Sequence, residues 1–347
     1  DLVGLTYSEI KSVIAGMGFK TIHASTIVNY LYKRRIPDLS RVPDIPMALH
    51  VILHKNRESG IRGPVSSEAA SDGTIKYLFR TGEGKEFETV YIPGKKRNTV
   101  CVSTQSGCRM GCKYCATAQY GYHGNLTAGE ILGQVLRIPE ASVIDHVVFM
   151  GMGEPMDNLD NVARACEIMI SDKGMAIGYR NITVSSVGLT PGIDNFLKSS
   201  RCNFTLSLYS PFPQERAELI PVERRYPVNG IIDMMKEQPL IRGRRLTLAY
   251  VMIEGRNDTE RHLKALIGMV RGSQIRINLL PFHSIPGYSL KSSPAERLHY
   301  FKHTLVMEGI SASVRKTRGA DIYAACGLLA TSLKKQDNTE SAITSQG

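Results

Sequence analysis

Apolar and polar positions change rhythm twice along the chain. In "SEIKSVIAGMG" and "IHASTIVNYLYKRR" the apolar residues recur at helical spacing, which predicts a small helical unit over residues 1–55. Proline-marked "IPDLSRVPDIP" interrupts that spacing, and "GTIKYLFRTGEGKEFETVYIPGKKRNTVCVST" then alternates like strands joined by a glycine-rich turn. Residues 56–96 are accordingly expected to form a β-rich bridge. From residue 97 to about 330, short β-rich runs alternate with helical stretches: "TVCVST", "HVVFMGMG", "NITVSSVG", "FTLSLYS", "LTLAYVMI", "IRINLLPF" and "SASVRKT". This alternation predicts an α/β fold with parallel strands and right-handed crossovers, an open or partial (β/α) barrel. Polar residues and glycines sit at the C-terminal ends of these runs, where such folds build their sites. The end of the chain, 331–347, is polar, has no aromatic residue and reads as a disordered tail.

Composition narrows the setting. A formal charge of +11 and a pI near 9.3 favour a polyanionic partner. No apolar run approaches the ~18–20 residues of a membrane span, and the N-terminus lacks a signal pattern. The cytosol, where thiols stay reduced, is the expected location, and an odd number of cysteines, seven, fits it better than a disulfide framework does. The first residue is Asp1 rather than Met, so a short preceding segment is expected.

Three of the seven cysteines fall within "CRMGCKYC", residues 108–115. At this cysteine frequency that spacing is expected by chance about 3 times in 1,000, so the cluster has a purpose. Three thiolates on a tight loop suit zinc or an iron–sulfur cluster. Zinc in a structural site closes with four protein ligands, and the nearby candidate is His123, eight residues past Cys115. A four-iron cluster on Cys108, Cys112 and Cys115 would instead leave one iron open to a small molecule.

The three-cysteine loop, with Tyr114 before its last cysteine, resembles the signature of radical S-adenosylmethionine (SAM) enzymes. "GMGEP" at 151–155 is similar to that superfamily's glycine-rich segment, and the resemblance implies that Gly153 and Glu154 hold the SAM ammonium. A wider pattern, "CVSTQSGCRMGCKYCATAQYGYHGNLTAGEI", "VFMGMGEPMDNLDNV" and "VRKTRGADIYAACGLL", resembles the RlmN family of RNA adenine-C2 methyltransferases, from the helical unit to about residue 330. The resemblance implies a [4Fe-4S] cluster, two SAM molecules per turnover, Cys326 as carrier of the methyl group and Cys101 as the cysteine that resolves the product. Read from the residues alone, Cys101, Cys326, Cys166 and Cys202 are buried small hydrophobes.

The same resemblance supplies a route. An adenine C2–H is neither acidic nor electron-rich, so simple electrophilic transfer is closed. Cys326 takes a methyl by displacement from one SAM, and a 5′-deoxyadenosyl radical from a second removes hydrogen from it. The methylene radical adds to C2, an electron and the C2 proton leave, and Cys101 attacks the Cys326 sulfur to free the RNA and leave a disulfide. Glu88 holds the position of the proton acceptor. Ser185, Ser207, Leu208, Tyr209 and His283 lie where the family contacts SAM. Many relatives have His where Tyr209 stands and Asn where His283 stands, and both replacements keep a hydrogen-bonding group.

Basic runs at 32–35, 94–97, 242–245 and 315–318 offer phosphate contacts; the last leads into Cys326. The implied partners are 23S ribosomal RNA near the peptidyl-transferase centre, transfer RNA at the adenosine after the anticodon, and an electron donor such as flavodoxin, with the enzyme a monomer. A target adenine must leave its stack to reach the radical. Two other readings stay open: a Cfr-type adenine-C8 methyltransferase with the same cysteines, and a non-catalytic zinc-bearing RNA-binding protein.

Overall fold

The computed structural model describes residues 2–55, 62–239, 241–284 and 289–329. The expected tail, 331–347, lies outside the described residues. The chain begins with three helices, α1 (Tyr7–Gly16), α2 (Ile22–Val28) and α3 (Met47–Lys55). Thr6 opens α1 with a reciprocal cap: its hydroxyl accepts from Glu9 N at 3.4 Å while the Glu9 carboxylate accepts from Thr6 N at 2.8 Å. Ile10 and Ile14, one turn apart, are the buried face of this helix. The unit docks through charged groups: Glu9 pairs with Arg164, and Arg35 donates to the carbonyls of Ala141 and Ile144 at 2.5 and 2.6 Å.

Among the described residues, one ten-stranded sheet organises the remainder. Its strands are β1 (Ser66–Ala69), β2 (Ile75–Arg80), β3 (Glu86–Ile92), β4 (Thr99–Cys101), then, beyond a separate β5–β6 pair (Gln105–Gly107 and Tyr122–Asn125), β7 (His146–Phe149), β8 (Ile182–Ser186), β9 (Asn203–Ser207), β10 (Leu246–Met252), β11 (Arg276–Pro281) and β12 (Ala312–Val314). β1 to β4 pair antiparallel, so the β-rich stretch is the near edge of the main sheet rather than a connector. β4 and β7 to β12 run parallel, each beside the previous one in sequence. These are the seven runs expected from the sequence. Because β1 and β12 are the two edges, the sheet curls without closing. It is the expected partial barrel.

The crossovers α5 (Ala128–Leu136), α6 (Leu159–Ile170), α7 (Thr190–Ser199), α9 (Val228–Lys236), α10 (Glu260–Val270) and α11 (Ala295–Met307) cover its outside, while the shorter α4 (Ala116–Tyr120) and α8 (Pro213–Leu219) sit at the site end. Strand side chains alternate between the two faces. Outward positions Ile182, Val184, Phe204, Leu206, Leu248 and Ile277 are fully buried against the helices. Inward positions carry Thr183 and Ser185, Asn203, Thr205 and Ser207, Thr247 and Ala249, and Asn278. Closed barrels of this type fill their interior with layers of bulky branched residues. Here many inner positions are small or polar, with Val148, Val251 and Leu280 among the exceptions, and cavities run between them.

At the C-terminal ends of the strands the ladder stops and carbonyls need other donors. Arg216 of α8, fully buried, supplies them: Nε donates to Leu208 O at 2.9 Å, and Nη2 to Ser207 O at 2.8 Å and Val187 O at 2.5 Å. Its Nη1 meets Glu223 at 2.5 Å, and Glu223 also accepts from Val228 N. One guanidinium thus fixes the ends of β8 and β9. Arg216→Ala leaves Glu223 buried without its countercharge and should lower the unfolding free energy of the metal-free chain by about 3–5 kcal/mol. Denaturant unfolding reads this, and a loss below about 1 kcal/mol would contradict the clamp.

Candidate active site

The cysteine loop hangs between β5 and β6. Its base is pinched where Cys108 N donates to Gly121 O at 2.8 Å, and a side chain on Gly107, at φ +75°, would place its Cβ 1.7 Å from that same carbonyl. Lys113 N donates to Leu219 O at 3.0 Å, which anchors the loop on α8. Cys112 is buried beside Tyr209, Ile220, Ile253 and Phe282. Burial pushes the Cys108 thiol up to about 12, and burial reinforced by the neighbouring thiols Cys115 and Cys108 pushes Cys112 well above the ordinary range. Such thiols keep their protons until a metal charge displaces them, which is the behaviour expected of ligands waiting for a cluster. All three line one cavity of about 180 Å³ together with Glu154, Ser185 and Ser207. Among the described residues no three ligand side chains converge on a point as around a single ion. A cluster with several irons requires only that the thiols surround common space.

The glycine-rich segment forms another wall of that cavity. Gly153 has φ +98°, and a Cβ there would lie 2.7 Å from Gln105 N, so the segment packs against the chain leading into the cysteine loop because it has no side chain. This close approach orients Glu154. Its backbone N–H donates to Gln105 Oε1 at 2.9 Å, and its carboxylate accepts from Met156 N at 3.0 Å and Val187 N at 2.9 Å. Burial raises the carboxyl to about 7, against the pull of the Val187 N–H, the Ser186 hydroxyl and the Met156 N–H.

A second cavity, of about 310 Å³, holds Cys101 from the end of β4, Met150 after β7, Ala249 of β10, His283 after β11 and Cys326. Cys326 and His283 also line the cysteine-loop cavity, so the two spaces are contiguous. Cys326 arrives on the segment after β12, which crosses the open side of the barrel. Gly319 N donates to Asp72 Oδ2 at 3.2 Å, Ser71 N to Asp321 Oδ2 at 2.9 Å, and Lys76 Nζ to Ile322 O at 2.5 Å. Ala116 N then donates to Gly327 O at 2.7 Å, tying the same segment to the cysteine loop. Cys326 is exposed where it lines both cavities. Desolvation by the surrounding protein raises its thiol pKa, with the Arg315 guanidinium opposing. Burial raises the Cys101 thiol, and the nearby Cys326 adds to that rise.

The structure brings together Cys101, Cys108, Cys112, Cys115, Gly153, Glu154, Ser185, Ser207, His283 and Cys326 on these two cavities. It does not bring Leu208, Tyr209 or Glu88 there. Leu208 is fully buried, its N–H donating to Ala249 O at 2.9 Å and its carbonyl accepting from Arg216 Nε and Ser210 N. Tyr209 adopts φ +62°, its carbonyl accepts from Asn257 Nδ2 at 2.7 Å, and its ring tilts on Tyr114 at 6.2 Å. Glu88 is buried with its carboxylate 3.9 Å from Lys76 Nζ; it lies on the strand face of Cys101, whose direct partner is Val90. Thr205, Ala249 and Asn278, which form the walls between cavities, were not singled out from the sequence; the period-two placement of small polar residues in "NFTLS", "LTLAYVM" and "RINLL" is the signal that marks them. Cys166 and Cys202 are buried away from both cavities.

Comparison with known proteins agrees with this architecture. Residues 102–267 match the family model described as the radical SAM superfamily. The probable dual-specificity RNA methyltransferase RlmN of Parabacteroides distasonis is 39% identical over 331 residues, 95% of this chain and 96% of that protein. The dual-specificity RNA methyltransferase RlmN of Syntrophobacter fumaroxidans is 36% identical over 93% of this chain and 96% of its own length. The crystal structure of a radical SAM methyltransferase from Sphaerobacter thermophilus superposes with a TM-score of 0.88 at 36% identity, covering 95% of this chain and 98% of that one. With near full-length identity to these relatives and the cysteine loop, glycine segment and paired thiols on one continuous cavity, the chain belongs to the RlmN family of radical SAM methyltransferases.

Proposed function

We propose that this chain methylates C2 of adenosine in 23S ribosomal RNA and in transfer RNA, with Cys326 carrying the methyl group. The observation that carries the reading is the position of Cys326, which lines both the cavity of the cysteine loop and the cavity of Cys101. A carrier must meet the radical source on one side and the base on the other. The cluster on Cys108, Cys112 and Cys115, with SAM bound, supplies the electron and the carbon radical that activate the methyl group.

The chain's own groups do the rest. Glu154, with the backbone at Gly153, receives the SAM ammonium, and Ser185, Ser207 and His283 offer polar contacts along the same wall. Leu208 and Tyr209 act by shaping that wall, through the carbonyls that Arg216 and Asn257 hold. Arg315 favours the Cys326 thiolate that accepts the methyl. After the methylene bonds to C2, Glu88 is the proposed acceptor of the C2 proton. Once one electron and that proton have left, Cys101 attacks the Cys326 sulfur, the electron pair of the broken sulfur–methylene bond takes up a proton to complete the methyl group, and a disulfide remains for reduction. The proposed working unit is a monomer served by an external electron donor such as flavodoxin. The cytosol is the proposed location, in keeping with RNA substrates and thiols that must stay reduced.

Two outcomes follow. Glu154 titrates near 7 in the empty site, so it is neutral below that pH and cannot pair with an ammonium. Affinity of the reconstituted protein for SAM should rise with pH as this buried carboxyl ionises, and Glu154→Gln should remove that rise. The same raised pKa means that the empty fold loses stability as pH climbs from the ordinary carboxyl range through 7. A SAM affinity indifferent to pH would rule out the assigned partner.

The paired cysteines should fail at different stages. Cys326→Ala should bind SAM and RNA yet form neither methylcysteine nor methyladenosine. Cys101→Ala should accumulate protein joined covalently to RNA, since the bond to C2 forms before the thiolate attack that breaks it. A denaturing gel after a single turnover separates the two. Release of methylated RNA by Cys101→Ala at the wild-type rate would return Cys101 to a core role.

A further inference from the structure

A third cavity, of about 240 Å³, opens at the other end of the barrel, lined by Arg97, Arg245, Arg276 and Arg315 over a floor of inward polar residues that includes Thr247 and Asn278. Arg97 and Arg245 precede β4 and β10, Arg276 begins β11, and Arg315 follows β12, so four strands deliver one guanidinium each. Among the described residues no carboxylate pairs with any of the four side chains. They also feel one another: burial first, then the charges of Arg276, Arg97 and Arg315, hold Arg245 below its ordinary pKa. Like charges gathered without countercharge are costly unless an anion joins them.

This cavity is not isolated. Thr205, Asn278 and Arg315 line both it and the cavity of Cys101 and Cys326. The hollow barrel is therefore a passage with the cysteine loop at one end and four arginines at the other. We infer that Arg97, Arg245, Arg276 and Arg315 form a seat for the phosphodiester backbone of single-stranded RNA, and that the target nucleotide enters the cavity of Cys101 and Cys326 from this end. The inference rests on the RNA methyltransferase reading and adds to it a direction of entry. Guanidinium forks match phosphate oxygens, and a flipped nucleotide carries a phosphate on each side, so the seat would hold the strand while the base reaches inward. The inner threonines and asparagine give the base hydrogen-bonding partners on its way.

The test uses the reconstituted full chain, a transfer-RNA anticodon stem–loop as probe, and the triple variant Arg97→Gln, Arg245→Gln and Arg276→Gln. Arg315 is left in place because it also acts on Cys326. The log–log salt slope of RNA binding should fall by about 2, at about 0.7 per lost single-strand phosphate contact. RNA KM should rise at least about tenfold with kcat at saturation and RNA-free SAM cleavage unchanged, and Arg276→Gln alone should lie between the triple variant and wild type. Lys302→Gln, an exposed charge on α11, should leave the slope as it is. If wild type methylates the stem–loop while the triple variant keeps its slope and KM, the seat is wrong and the activity stands. If wild type does not methylate RNA, both fall. If inorganic phosphate binds wild type but not the triple variant while RNA affinity is the same in both, the site serves a free anion and the RNA assignment is overturned.

Discussion

A parallel sheet curled around itself normally fills its interior with branched side chains, and this one does so only in part. The alternation of large apolar residues outward with threonine, serine, asparagine and alanine at inward positions of β8 to β11, relieved by Val251 and Leu280, is the constraint on which the site depends. The outward layer must supply most of the packing, and fully buried Phe204, Leu206, Leu248, Tyr250 and Ile277 against the crossover helices do so. Freed from that duty, the inner positions leave contiguous space from the four arginines to the cysteine loop. A larger residue at Thr205 or Ala249 would interrupt it, since Thr205 borders all three cavities and Ala249 borders two.

A hollow, unclosed sheet needs support at its ends and its open side. Arg216 provides the first by taking the free carbonyls after β8 and β9, which keeps the strand ends rigid where Glu154 and the cysteine loop meet them. The segment carrying Cys326 provides the second, reaching from β12 to the β1–β2 turn through Asp72 and Asp321 and then to the cysteine loop through Gly327. Gly319 and Tyr323 in this segment both have positive φ, and a Cβ at Gly319 would lie 2.9 Å from the Thr74 side chain. Placing the Cys326 thiol on such a strap, rather than on a strand, puts it between the two cavities.

Much of this was legible in the sequence because the responsible patterns are local. The seven parallel strands follow from β-rich runs at regular spacing, and the proposed cluster ligands from three cysteines in eight residues. β1, "SSEA", has neither alternation nor β-branched residues and exists because β2 offers it an edge. The β5–β6 pair around the cysteine loop depends on the contact of Gly107 with Gly121, fourteen residues apart, which no short pattern encodes. Likewise Cys101 and Cys326 come together only through the crossing of the open side, a tertiary event. Their joint role rested on resemblance to a family, as did Glu88, whose salt bridge to Lys76 no spacing suggests. Leu208 and Tyr209 stand beside cavity residues in sequence, yet the strand's period of two and the left-handed turn at Tyr209 direct them elsewhere.

The account stands or falls on the nucleoside that leaves this passage. Mass-spectrometric mapping of ribosomal and transfer RNA after anaerobic reaction with the reconstituted protein, a reductant and methyl-deuterated SAM reads it directly. The account predicts 2-methyladenosine carrying two deuterium atoms from the transferred methyl, since one hydrogen is removed while the carbon is held on Cys326. Methylation at C8, or a methyl group transferred with all its deuterium intact, would contradict it.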